Sequence, residues 1–482
     1  MPADDDHDAT AAATTDALPI APSMGPALES ARVPRDGRLL EPRVAFISAL
    51  AIGVAIAAAA IAQVLTRLIG LITNLAFYGR IDATFTSPAD NHLGLLVILV
   101  PIAGAVVVGI MARYGSKAIR GHGIPEAMEQ VLTNQSRIPA RITFLKPLSA
   151  AISIGTGGPF GAEGPIIATG GALGSLVGQL LHTTASERKT LLAAGAAAGM
   201  SATFGTPVSA VLLAVELLLF EYRPRSVIPV ALATATAAGV RIAFVGDAPV
   251  FPMPDLSSPG GGALCIYIVI GALIGVASIF VTRWVYAIED AFEKLPIHWM
   301  WWPAVGAVVV GVVGYFAPHT LGVGYDNIER ILGGELVGRT LLVLCVLKFV
   351  SWSVSLGSGT SGGTLAPLFT IGGAMGALLG ALAATLFPRL GIDPRVGALV
   401  GTASMFAGAS RALLTSVVFA FETTRQPLGL LPLLGGCTAA FLVSCLFMRN
   451  SIMTERIARR GVRVIGEYAA DHLETRSVRD AA

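Results

Sequence analysis

Charge is scarce in this chain. Of 482 residues only 13% are Asp, Glu, Lys or Arg, whereas 54% are hydrophobic; a soluble domain carries about 25% charge. A length that would mean several domains in water suits one bundle of many membrane helices here. The 33 basic and 31 acidic residues nearly cancel, with a formal net charge of +2, so nothing favours a nucleic-acid partner. Cysteine is as thin: Cys265, Cys345, Cys437 and Cys445 lie in apolar runs without metal-ligand spacing. They read as small buried hydrophobes, and neither metal nor cofactor is expected. A secretory signal is missing too, since the start is acidic and no apolar run begins before Val44.

What the chain has is apolar segments cut by glycine and proline. They run at about 44–78, 93–114, 142–156, 163–182, 190–220, 227–245, 263–287, 303–317, 340–356, 364–387, 397–422 and 428–448. Several reach the ~20 residues a spanning helix needs and others fall short. The breaks between them belong inside protein or against an aqueous cavity, because lipid-exposed loops are forbidden at membrane depth. Residues 1–42 read as a disordered tail and 43–448 as the transmembrane domain; 449–482 hold a last helix and a short tail. Arg32, Arg35, Arg38 and Arg43 precede the first span, and Arg449, Arg456, Arg459, Arg460 and Arg463 follow the last. Basic residues at span ends place both termini on the cytoplasmic side.

The middle of the chain occurs twice. Residues 144–178 and 346–380 match at an offset of 202, pairing Lys146 with Lys348, Gly155 with Gly357, Pro165 with Pro367, Gly171 with Gly373 and Gly174 with Gly376. At an offset of 206, Gly195 and Glu216 match Gly401 and Glu422. The repeats extend over about 43–245 and 263–448. Duplicated halves with interrupted apolar helices mark a transporter or channel whose site lies where the halves meet. A cation-coupled solute symporter would need a cluster of cation ligands, and none is visible. An intramembrane hydrolase would need a paired nucleophile and base. There is no GxSxG, HExxH or paired-Asp pattern, and the seven histidines are scattered, so no enzyme is expected.

Three glycine-rich motifs carry the chemistry: Gly121-His122-Gly123-Ile124-Pro125, Gly161-Ala162-Glu163-Gly164-Pro165 and Gly363-Thr364-Leu365-Ala366-Pro367. Each ends in a proline suited to a helix's first turn. Helix starts present unsatisfied N–H groups and partial positive charge, so several aimed at one point hold an anion without a buried lysine. Glycines that merely let helices pack closely are the bland reading of any one motif; three in order across a duplication favour the anion site.

On these residues the chain resembles the CLC family of chloride channels and chloride/proton antiporters. The match is to the family's GSGIP, GxEGP and GxFxP motifs and covers roughly 43–460; the segment LLAAGAAAGMSATFGTPVSAVLLAVEL is similar to the family's as well. The resemblance implies an all-α polytopic membrane protein of two inverted repeats with tilted, broken helices. It implies a homodimer with one pore per subunit, joined by the apolar helices around 208–242 and 413–446. Chloride and other small anions, protons and the lipid bilayer are the implied partners. Anion-site positions carried over are Gly121, His122, Gly123, Ala162, Glu163, Gly164, Thr364, Leu365 and Met453.

Glu163 takes the place of the family's external gating glutamate. Ionised, it competes with the anion for the positive site; protonated, it swings away and carries a proton. Glu216 and Glu422 each end an apolar helix and read as structural. Three departures bear on mechanism. His122 replaces the usual serine, and its imidazole either donates to the anion or turns away. Met453 falls where the family has a tyrosine donor, and Leu365 where phenylalanine is common. The inner proton-transfer glutamate of the antiporters would follow Glu216, where this chain has Leu217. The expected function is therefore glutamate-gated chloride transport, channel-like or weakly proton-coupled. The alternatives are stoichiometric antiport relayed by His122, with Glu221 a second relay candidate, or fluoride-selective transport.

Overall fold

The structure, a computed structural model, describes residues 42–462 and 464. The tail expected over 1–42 lies outside the described residues except Pro42, which opens the first helix, and the C-terminal tail lies outside them from 465 onward, as does Arg463. Seventeen α-helices are present among the described residues. They are α1 Pro42–Tyr78, α2 Leu99–Ile110, α3 Ile124–Thr133, α4 Ile142–Gly155, α5 Glu163–Leu180, α6 Ala185–Phe204, α7 Pro207–Leu213, α8 Pro224–Val245, α9 Gly261–Glu293, α10 Trp302–Phe316, α11 Tyr325–Leu332, α12 Gly338–Gly357, α13 Leu365–Leu386, α14 Pro394–Ser410, α15 Leu413–Thr424, α16 Leu430–Phe447 and α17 Glu455–Arg459. Among the described residues, eight helical stretches are long and apolar enough to cross a membrane, while α4, α15 and the stretch Pro207–Leu219 are apolar but shorter. In hydrocarbon, where backbone groups find no water, a helix satisfies its backbone within its own segment.

Two apolar segments expected to be continuous are divided. The run 190–220 breaks at Gly205 and the run 397–422 breaks at Arg411, both in the left-handed region at φ 65° and 62°. Hydropathy is blind to such breaks because both flanks are apolar. Beyond the first break, α7 runs on as a π turn, Ala214–Leu219. Cysteine burial is also corrected: Cys345 and Cys437 are buried, but Cys265 on α9 and Cys445 on α16 are exposed. Helices facing lipid need no polar surface, so an apolar run does not imply an interior position.

The duplication is visible in the contacts. Helices α4 to α8 correspond in order to α12 to α16. Gly161 and Gly363, equivalent at the offset of 202, pair antiparallel: each N–H donates to the other's carbonyl, at 3.3 and 2.9 Å. An exchange between equivalent residues places a local two-fold axis between them. Glu216 obeys the same axis, accepting from the Leu414 and Thr415 N–H groups at the start of α15 (2.9 and 3.0 Å). Glu422 accepts from Val208 and Ser209 at the start of α7 (3.0 and 2.8 Å). Each carboxylate thus caps the start of the helix that leads to the other. Packing repeats as well: α5 lies on α6 and α13 on α14. A methyl on Gly170 would strike the Gly195 carbonyl, and one on Gly372 the Gly401 carbonyl, so backbone meets backbone at both crossings.

Candidate anion site

The Gly161–Gly363 pair sets the starts of α5 and α13 side by side. The first motif joins them through backbone alone. Gly121 N–H donates to Thr360 O at 3.2 Å and Gly362 N–H to Gly121 O at 3.4 Å. The His122 carbonyl rests against Gly164, where a Cβ would strike it and would also stand 3.0 Å from Gly363 Cα. Gly123, at φ +96°, approaches the Gly164 carbonyl from the first repeat. Only glycine combines that backbone conformation with that approach. His122, Ala162, Glu163, Thr364 and Leu365 are all buried around this junction. The first-turn N–H groups of α5 and α13 lack intrahelical acceptors, and both helix starts carry partial positive charge.

The Glu163 carboxyl occupies this junction. Its Oε1 accepts a hydrogen bond from Tyr325 Oη at 2.8 Å. Its Oε2 has no partner and lies where a Cβ on Gly363 would approach to 3.0 Å. Two buried lysines frame the motifs without bonding to the carboxylate. Lys146 Nζ donates to Ile119 O and Gly121 O (2.9 and 2.8 Å), ahead of α3. Lys348, its repeat equivalent, donates to Thr320 O and Gly322 O (both 3.0 Å), ahead of α11. Each ammonium fixes the loop that leads into a helix start.

The expected positions fare differently. Gly121 and Gly123 are anion-site positions by the resemblance, but their N–H groups are engaged within the protein. Gly121 holds Thr360 O, and Gly123 N–H donates to Glu126 Oε2 at 2.6 Å. A helix start with a carboxylate three residues in caps itself, which removes this donor. His122 keeps a free ring nitrogen, Nδ1, with no partner. Met453 is fully buried, in a segment tied down by Ile452 N–H to Ala409 O (2.9 Å) and Tyr286 Oη to Ile452 O (2.8 Å). It connects to the first motif through α17, whose Arg456 bonds Glu126 at 3.1 Å and faces Glu289 at 3.6 Å. Leu217 is buried in the π turn. Glu221 is paired with Lys189 and Arg223 and accepts from Ser226.

Tyr325 escaped the sequence reading. A signal for it exists: Gly121-His122-Gly123-Ile124 recurs at an offset of 201 as Gly322-Val323-Gly324-Tyr325, so Tyr325 opens the counterpart of the first motif's helix. The Glu126–Arg456 link spans 330 residues and leaves no local pattern.

A family model for voltage-gated chloride channels matches residues 103–445. The chain belongs to the CLC family. Over 418 residues it is 28% identical to the H(+)/Cl(-) exchange transporter ClcA of Vibrio parahaemolyticus, covering 83% of this chain and 88% of that one. The chloride channel protein CLC-f of Arabidopsis thaliana is 30% identical over 374 residues, covering 72% of this chain and 47% of that one. The chain therefore spans most of its bacterial relative and about half of the plant one. Among solved structures it is similar to a slow cyanobacterial Cl-/H+ antiporter, with a TM-score of 0.78 at 22% identity over 87% of this chain and 98% of that one. A CLC-type fluoride/proton antiporter gives 0.70 at 20% identity, over 85% and 97%. These structures share its fold. This CLC protein is an all-α, multi-pass membrane protein, and anion transport is its family's activity.

Proposed function

We propose that the chain moves chloride and other small anions along a pathway that passes the junction of its two repeats and is gated by Glu163. The observation carrying this reading is a buried carboxylate at the meeting point of two helix starts, with one oxygen unpartnered. A carboxylate there occupies the position an anion would take, and its protonation empties that position. The transport unit is the duplicated segment 43–448, with both termini cytoplasmic. The donors left for the anion are the first-turn N–H groups of α5 and α13 and the His122 imidazole.

Transport is channel-like or weakly proton-coupled. Leu217 supports this, because leucine carries no proton, and Glu216 and Glu221 are both engaged elsewhere. Stoichiometric antiport is the second reading, and the free Nδ1 of buried His122 favours it. Chloride efflux from proteoliposomes tests the gate. Glu163→Gln and Glu163→Ala are expected to raise flux at neutral pH and to lose most of its proton dependence; a wild-type pH profile in Glu163→Ala refutes the assignment. Proton uptake recorded beside that efflux separates the two modes, since a fixed proton-to-chloride ratio means antiport.

A further inference from the structure

The Tyr325 hydroxyl crosses from the second repeat to the Glu163 carboxylate of the first, at 2.8 Å. Its ring is held on three sides. Phe85 stacks on it at 6.2 Å and 25°, while Phe204 and Phe251 meet it edgewise at 5.8 and 6.0 Å. The loop before it is fixed by Lys348 on Thr320 O and Gly322 O, and by the Gly322 N–H on Gly157 O at 3.0 Å. The hydroxyl is therefore delivered to one place. Phenylalanine would satisfy the aromatic surround equally well. What tyrosine adds is an O–H, and a desolvated O–H is retained where it has a partner.

We propose that Tyr325 is a latch on the gate, its hydroxyl holding the ionised Glu163 carboxylate in its seated position and so setting the pH at which the pathway opens. The proposal rests on Glu163 being the gate. A phenol donates more strongly to a carboxylate than to a neutral carboxyl, by roughly a factor of two. The bond therefore favours the charged, seated state over the protonated, departing one. The other groups around Glu163 are Lys348 on α12, occupied by its two carbonyls and within electrostatic reach of both Asp326 and Glu163, and His122 of the first motif, whose carbonyl backs Gly164. From α4, Lys146 is turned to Ile119 O and Gly121 O. None of these changes when the phenol oxygen is removed, so Tyr325→Phe isolates the latch. Tyr325 acts through Glu163 and is a positioning residue.

Chloride efflux is measured from acidic to neutral pH for the wild type, Tyr325→Phe, Glu163→Gln and the double variant. Tyr325→Phe is expected to move half-activation upward by about one pH unit, a tenfold change in proton concentration, with flux at neutral pH raised to match. In the Glu163→Gln background the same change is expected to do nothing further. Site-specific 3-fluorotyrosine at 325 keeps the shape and strengthens the donor, and is expected to move half-activation downward; it carries the test if Tyr325→Phe does not fold. An unmoved half-activation pH, a uniform scaling of flux at every pH, or an equal effect in the Glu163→Gln background overturns the latch. Failure of the gate itself shows separately, as a wild-type pH profile in Glu163→Gln alone.

Discussion

At the scale of single residues, two buried groups of the motifs can titrate: the Glu163 carboxyl at the junction and the His122 imidazole, whose charged neighbours are Glu126, Arg456 and Lys146. Each can take up a proton, so two steps are expected in flux as pH falls. Protonating Glu163 would remove the anion's competitor, and protonating His122 would add positive charge to the first motif; both are expected to raise flux. His122→Ser is expected to remove the imidazole step and leave the Glu163 step, read as efflux against pH. A proton-to-chloride ratio unchanged in His122→Ser would show that protons take another route. Asp82 is no part of this response. Thr84 donates to it from backbone and hydroxyl, which holds its carboxyl below the usual carboxylate range. With a depressed value, its contribution to the loop persists from neutral pH down past about 4 and is lost only below. A second residue-scale prediction concerns Glu126. Glu126→Ala strips Gly123 N–H and Arg456 of an acceptor, and about 1–3 kcal/mol of stability is expected to go with it. Thermal unfolding in detergent measures the loss, and an unchanged midpoint would show that water replaces the carboxylate.

At the scale of elements, the crossings α5–α6 and α13–α14 depend on glycine at the point of contact. Gly170→Ala and Gly372→Ala each push a methyl into the opposing carbonyl, and overpacking of this kind costs about 1–3 kcal/mol. Gly53 on α1 meets nothing within 4 Å; there alanine is expected to be neutral or stabilising by up to about 1 kcal/mol through helix propensity. The three melting temperatures test the contrast. The adjacent pairs Gly171/Gly373 and Gly174/Gly376 were legible in the sequence as a repeated pattern, whereas Gly170 and Gly372 emerge only from the contacts; Glu163 was legible because helix-start motifs are local. The breaks at Gly205 and Arg411 were not, since hydropathy averages across them. Nor was the self-capping of the first motif, where a favourable local rule, a carboxylate three residues into the helix, defeats the donor assignment. Tyr325 was missed because its meaning lies in a partner 162 residues away.

At the scale of the molecule, we propose that two copies associate through the apolar surfaces at 208–242 and 413–446. Leu434 and Leu442 on α16 are 46% and 56% exposed in the single chain. Leu434→Trp and Leu442→Trp together are expected to yield monomers by light scattering in detergent. Chloride flux should survive, because the junction lies wholly within one chain; its loss on monomerisation would place the pathway at the subunit boundary instead. The crossed caps of Glu216 and Glu422 bear on the whole molecule too. As each closes the other repeat's helix, Glu216→Gln and Glu422→Gln are expected to lower the melting temperature by similar amounts, and unequal losses would show that the equivalence is geometric only.

Gly161 and Gly363 exchange their backbone hydrogen bonds across the local two-fold axis. The axis that relates these glycines also relates Glu163 to Leu365, both opening their helices at the offset of 202. The frame is the same when turned end over end, yet acid stands at one place and a hydrocarbon at its twin. On the pathway proposed above, an ion arriving from one side would meet a group that can ionise, and from the other side a group that never does. A scaffold with no preferred direction is thereby expected to rectify, and currents recorded at both polarities in planar bilayers test it.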